Sequence, residues 1–212
     1  MNAIPTPVSR RHLALGTAAL FALAGCGSII GPSGPPPQIY RLAPEFPPAA
    51  GGAPVPWQLA VGAPTTTQTL DTVRITLVRG ETMDYYADAQ WNDTAPRLVQ
   101  SLLVEAFEQS GRIAAVAPES ADMHANYVLA TDIRDFDAQY DSPNGAPNVV
   151  VEIVAKLVGG RGKVVASLDA RQSARATQNS VAAVVAAFDQ ATGAALAQIV
   201  TWTLQASPPP PS

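Results

Sequence analysis

Three runs in the second half of the sequence limit what this chain can become. Tyr127 to Tyr140 and Val149 to Val158 are rich in β-branched and aromatic residues with polar positions interleaved, and Val164 to Arg175 opens on two valines and then mixes small, apolar and polar positions. Runs of that composition and length read as strands. Gly159-Gly160-Arg161-Gly162 separates the last two and reads as a hairpin turn. A helix is expected next, from Val181 to about Leu204, capped by Asn179-Ser180. Its apolar stripe is Val181, Val184, Val185, Phe188, Leu196, Ile199 and Val200. Eight of residues 179–197 are alanine, so this helix can lie close on a sheet.

The earlier part of the chain adds to that sheet. Val73, Ile75 and Leu77 alternate with Arg74, Thr76 and Val78, which predicts a strand over 73–79. Gly80-Glu81 turns the chain, and Met83 to Ala87 returns as the second strand of a hairpin. Asn92-Asp93-Thr94 offer caps to a helix whose first turn holds Pro96, where a missing N–H is harmless. Leu98, Val99, Leu102, Leu103, Ala106 and Phe107 recur at helical spacing, and Gly111 ends the helix. Gln38 to Leu42 and Trp57 to Val61 read as short strands on either side of a Pro/Gly/Ala loop, residues 43–56. The fold class expected is α/β (α+β): a mixed, largely antiparallel sheet packed with two main helices.

The first 25 residues do not belong to that domain. Arg10 and Arg11 precede an apolar run, residues 13–24, and small residues close it. That order is the layout of an export signal. The run is too short to span a bilayer, which takes ~20 residues. Leu23-Ala24-Gly25-Cys26 resembles a bacterial lipobox, whose cysteine becomes the acylated first residue of the mature protein. Cys26 is the only cysteine in the sequence and is expected to be a lipid attachment point, its thiol being the good nucleophile. Two or three acyl chains hold a protein durably, whereas one does not. Ser9-Arg10-Arg11-His12-Leu13 also resembles a twin-arginine signal, which leaves two export routes open. Gly27, where an aspartate would favour inner-membrane retention, implies by resemblance an outer-membrane destination facing the periplasm. The expected organisation is a signal over 1–25, the lipidated cysteine and a Pro/Gly-rich tether over 26–37, one domain over 38–206, and a Pro-rich tail over 207–212.

Charge excludes some functions. The chain carries 13 Lys/Arg against 17 Asp/Glu, a net −4, and removal of residues 1–25 with their two arginines makes it −6. Nucleic acid is not an expected partner of such a surface. No cysteine is left for disulfides, so the domain must rely on its core.

Candidate catalytic and ligand residues each have a plainer reading. His124 is the single histidine after the signal and sits in a polar stretch, SADMHAN, that reads as a surface loop. A nucleophilic site needs a base held beside a nucleophile, which this stretch does not supply. Asp132, Asp135, Asp137 and Asp141 lie close in sequence, and Asp135 and Asp137 share a strand face. They lack the glycine and terminal glutamate of a calcium loop and read as a solvated strand end. Residues 159–164 lack the first glycine and the Ser/Thr of a P-loop. Trp57, Trp91 and Trp202 could line a ligand surface but read better as core. No catalytic residue, metal ligand or cofactor site is expected.

The stretch from Val73 to Val116 is more specific. It runs strand, Tyr85-Tyr86, Trp91, a proline-started helix with Leu98 and Leu102, then Ser110-Gly111 before another strand. With the lipobox, Tyr40-Arg41-Leu42, the strand VLATDIRDFDAQY and the final Ala/Val helix, it resembles the ABC-type transport auxiliary lipoproteins, the family of paraquat-inducible protein C. Gln90 departs from an arginine common before that tryptophan. The resemblance implies a domain similar to the amino-terminal part of TolB, with Tyr85, Tyr86, Trp91, Leu98 and Leu102 holding helix on sheet. It implies no enzyme activity. The implied partners are an MCE-domain protein, a permease and an ATPase that move lipid between the two membranes, with homo-oligomers possible. An activator of a cell-wall synthase, or part of an export pore, is the competing reading on a similar domain.

Overall fold

The computed structural model describes residues 36–46 and 52–206. Cys26, the expected signal, most of the tether and the Pro-rich tail lie outside the described residues. The described elements run β1 (Gln38–Tyr40), β2 (Val55–Val61), β3 (Thr65–Thr66), β4 (Arg74–Arg79), β5 (Thr82–Trp91), α1 (Ala95–Gln109), β6 (Ile113–Pro118), β7 (Tyr127–Tyr140), β8 (Asn148–Val158), β9 (Val164–Arg175) and α2 (Val181–Ala206).

β7 organises the sheet because it is the longest strand and is paired along both edges. On one side it runs antiparallel to β8, which runs antiparallel to β9. On the other side three strands share its length: β2 at Tyr127–Leu129, β3 at Asp132–Ile133 and β4 at Asp137–Tyr140, all parallel to it. β4 carries β5 antiparallel, β5 carries β1 parallel, and β2 carries β6 parallel. The nine-stranded sheet is mixed, and its two longest ladders are the antiparallel ones.

Both helices pack on one face. Alternation on β8 points Val149, Val151, Ile153, Ala155 and Leu157 into one core with Phe188, Leu196 and Ile199 of α2. Leu98, Leu102, Leu103 and Phe107 of α1 join the same core beside Trp57, Leu59 and Val61 of β2. α2 is long and apolar enough to span a membrane by composition, yet most of it is buried against β8 and β9, as a core helix is. Ser180 Oγ accepts the Ala183 N–H and caps α2. α1 differs from expectation: Thr94 sits at the cap position but makes no capping bond. Asp93 Oδ1 instead accepts the Thr94 N–H at 2.8 Å, which fixes the turn before the helix. Gly111, at φ +62°, ends α1 where a side chain would be strained.

Candidate functional site

The face of the sheet without helices carries the acids that the sequence set apart. Arg171 donates to Asp135 at 2.6 Å and also to Glu152. Arg134 stands 3.7 Å from Glu152 and 3.8 Å from Asp132, and Arg175 donates to Asp141 at 3.0 Å. Each arginine is about half exposed. Such pairs contribute ~0–1 kcal/mol each. Asp132, Asp135 and Asp141 therefore form an ion-paired, solvated strand surface. Among the described residues, no three His, Cys, Asp or Glu side chains are placed to hold a metal ion.

Asp137 is different and corrects the expectation of a solvated position. It is 1% exposed, between Thr76 of β4 and Val150 of β8, both buried as well. Its Oδ1 has no hydrogen-bond partner. Burial pushes its carboxyl up to about 6, against the pull of a Gln139 hydrogen bond, with the Asp135 charge adding to the rise. Asp135 and Asp137 do share a face, but only Asp137 stands where β4 covers β7.

A second polar place lies where the chain enters the domain. After β1 the segment Arg41–Phe46 passes over the helices. The Ala43 N–H donates to Asp189 of α2 at 2.7 Å. Burial raises the Asp189 carboxyl, and that bond and the nearby Arg41 oppose the rise. Gly193 makes the passage possible: a Cβ there would stand 2.8 Å from the Glu45 carbonyl oxygen. A cleft of about 320 Å³ opens beside the segment, lined by Arg41, Pro44, Asn92, Arg97, Ser101 and Glu105 among others. A wider groove of about 700 Å³ lies between Glu45-Phe46 and the Ala186, Gln190 and Ala194 side of α2.

Aromatic contacts join these places to the core. Trp91 meets Phe188 edge-on at 5.1 Å and Phe136 at 6.1 Å, so the end of β5 grips α2. Tyr140 gives its one proton to Asn179 Oδ1 at 2.9 Å, so Tyr86 is the donor in the 2.7 Å Tyr86–Tyr140 contact. This chain ties β5 and β7 to the residue before the α2 cap. Burial and the Tyr140 bond raise the Tyr86 phenol far above its ordinary range. Tyr85 does not hold a helix: it donates to the Thr69 carbonyl at 3.1 Å and lies under Arg74.

The remaining sequence candidates are placed plainly. His124 is exposed in the loop before β7. Residues 159–163 form the β8–β9 connection, not a phosphate cradle. Trp57 and Trp91 are core, and Trp202 packs against it. Sequence reasoning missed Asp189 and Gly193; a glycine and an acid inside an otherwise apolar, alanine-rich helix were the available signal. Among the described residues the arrangement holds segments and surfaces together.

Comparison with known proteins fits that arrangement. The family model of the ABC-type transport auxiliary lipoprotein component matches residues 40–200, from β1 into α2. The chain belongs to the ABC-type transport auxiliary lipoprotein family. Membership makes it an auxiliary transport lipoprotein, a membrane-anchored protein of the cell envelope in a family of transport components. The solved structure of XCC0632 from Xanthomonas campestris, of family DUF330, superimposes with a TM-score of 0.74 at 32% identity, over 80% of this chain and 95% of that one. A second solved structure shares the fold at TM-score 0.62 and 14% identity, over 78% and 97% of the two chains. Protein bll6063 of Bradyrhizobium diazoefficiens is 34% identical over 149 residues. This auxiliary lipoprotein spans 40% of the length of that relative.

Proposed function

We propose that this lipoprotein is the outer-membrane docking element of an MCE-type lipid transport system. Cys26 would carry the acyl chains and Gly27 would permit sorting to the outer membrane. Residues 27–37, at ~3 Å per residue, would hold the domain a few tens of ångströms into the periplasm. The observation that carries the reading is the order of parts: a lipobox-like LAGC, a Pro/Gly tether, then a transport-auxiliary domain from residue 40. Its partners would be an MCE-domain protein, an ABC permease and an ATPase, and its role would be positional rather than enzymatic. The test is affinity purification of the intact chain from envelope membranes, read by mass spectrometry. Recovery of those three components is expected with the intact chain and reduced with Cys26→Ser. Recovery of cell-wall synthases instead, or of none of the three from either form, would overturn it.

A further inference from the structure

The β8–β9 hairpin tip is the part of the domain whose chemistry departs most from the rest. Residues 153–168 hold Lys156, Arg161 and Lys163, which include both lysines of the sequence, and no acid. The chain beyond residue 25 is otherwise acidic, at −6 overall. Residues 160–164 are all exposed. Val164 is 50% exposed, a level that few large apolar side chains reach among the described residues. Among the described residues Arg161 and Lys163 form no ion pair, in contrast to the paired Arg134, Arg171 and Arg175. Lys156 stands further down β8, beside a cleft of about 280 Å³ with Asp132 and Glu119 on its rim.

The backbone at the tip is unusual too. Arg161 adopts φ 61° and ψ 24°, the left-handed region, between Gly160 and Gly162. A glycine would sit there without the ~1 kcal/mol that a Cβ adds. A charged side chain kept in such a position between two glycines points to a use for the side chain.

The register places the tip away from β1. Val158 at the tip end of β8 pairs with Val128 at the start of β7. β1 joins the opposite edge of the sheet, through β5 and β4, level with the second half of β7. The tip and β1 thus lie on opposite edges of the sheet and at different levels of β7.

We infer that the β8–β9 tip is a docking point for an acidic segment of a partner protein, with Arg161 and Lys163 supplying the charge and Val164 the apolar contact. The inference rests on the transport reading for the partner's identity. Opposite charge steers such an encounter and the small apolar contact seats it. The tip's place on the sheet edge opposite β1, where the chain enters the domain, favours a protein partner over a lipid surface.

A photo-cross-linking residue placed at Val164 and, separately, at Ile39 near the tether in the full chain tests this in envelope membranes. The transporter components are expected to join at Val164. Arg161→Glu/Lys163→Glu should cut that yield about tenfold, the size of effect that two reversed interface charges produce. Arg79→Glu, a reversal at the exposed end of β4 away from the tip, should leave it unchanged. Arg161→Gly/Lys163→Ser, which relaxes the backbone, should also lower the yield and so separates lost charge from lost folding. Components joined at Ile39 but not at Val164 would leave the transport reading standing and overturn this inference. Components joined at neither would overturn both. Phosphatidylglycerol vesicles that sediment the intact chain but not the reversed variant would assign the tip to lipid and overturn it as well.

Discussion

Replacing Asp137 by asparagine should stabilise this domain at neutral pH. The carboxyl is buried between β4 and β8 with one oxygen unpaired. Its affinity for a proton is raised from the ordinary 3.8 to about 6. Between those two values the folded state binds more protons than the unfolded one, so stability falls as pH rises through that window. Below pH 3.8 the acid is neutral in both states; above pH 6 it is charged in both, and the folded state alone bears the desolvation. At ~1.4 kcal/mol per tenfold change in proton affinity, the loss is ~3 kcal/mol by pH 7.5, or less where Arg171 screens the charge. Urea unfolding at pH 4.5 and 7.5, followed by tryptophan fluorescence, measures it. The difference between wild type and Asp137→Asn at each pH isolates residue 137. The substitution should raise stability by ~2–3 kcal/mol at pH 7.5 and much less at pH 4.5. An unchanged pH dependence, or a variant less stable at pH 7.5, would refute the reasoning and mean that the charged form is well satisfied.

Three other substitutions probe the packing. Phe188→Ala empties the centre of the Trp91–Phe136–Phe188 cluster and should cost ~3–5 kcal/mol in urea unfolding. Tyr86→Phe removes the donor to Tyr140 and should cost ~1–2 kcal/mol, with faster hydrogen exchange near Asn179. Gly193→Ala sets a Cβ against the Glu45 carbonyl; exchange of the Ala43 amide, bonded to Asp189, should quicken while the β7–β8 amides stay protected.

Much of the fold was legible because its parts are amphipathic. The runs at 127–140, 149–158 and 164–175 are strands β7, β8 and β9, and the alanine-rich helix is α2. The parallel pairings were not legible. Nothing local in Leu59 or Thr76 says that both will lie along β7 rather than beside a neighbour in sequence. β5 continues to Trp91, past the expected end at Ala87, because Gln90 pairs with Arg74 of β4 beyond an irregularity in that ladder and Ala89–Trp91 pair with β1. The shared face of Asp135 and Asp137 followed from spacing. The burial of Asp137 did not, because depth depends on which strands cover β7 at that level. Trp91 was expected to hold a helix and does, but the helix is α2, almost a hundred residues away.

The claim on which the docking account depends is that Cys26 tethers this domain to the outer membrane. Intact mass of the chain purified from separated outer membranes tests it most directly. The account predicts a chain that begins at Cys26 and carries diacylglycerol and a further acyl group. A chain retaining residues 1–25, or one without acyl mass at Cys26, would contradict it.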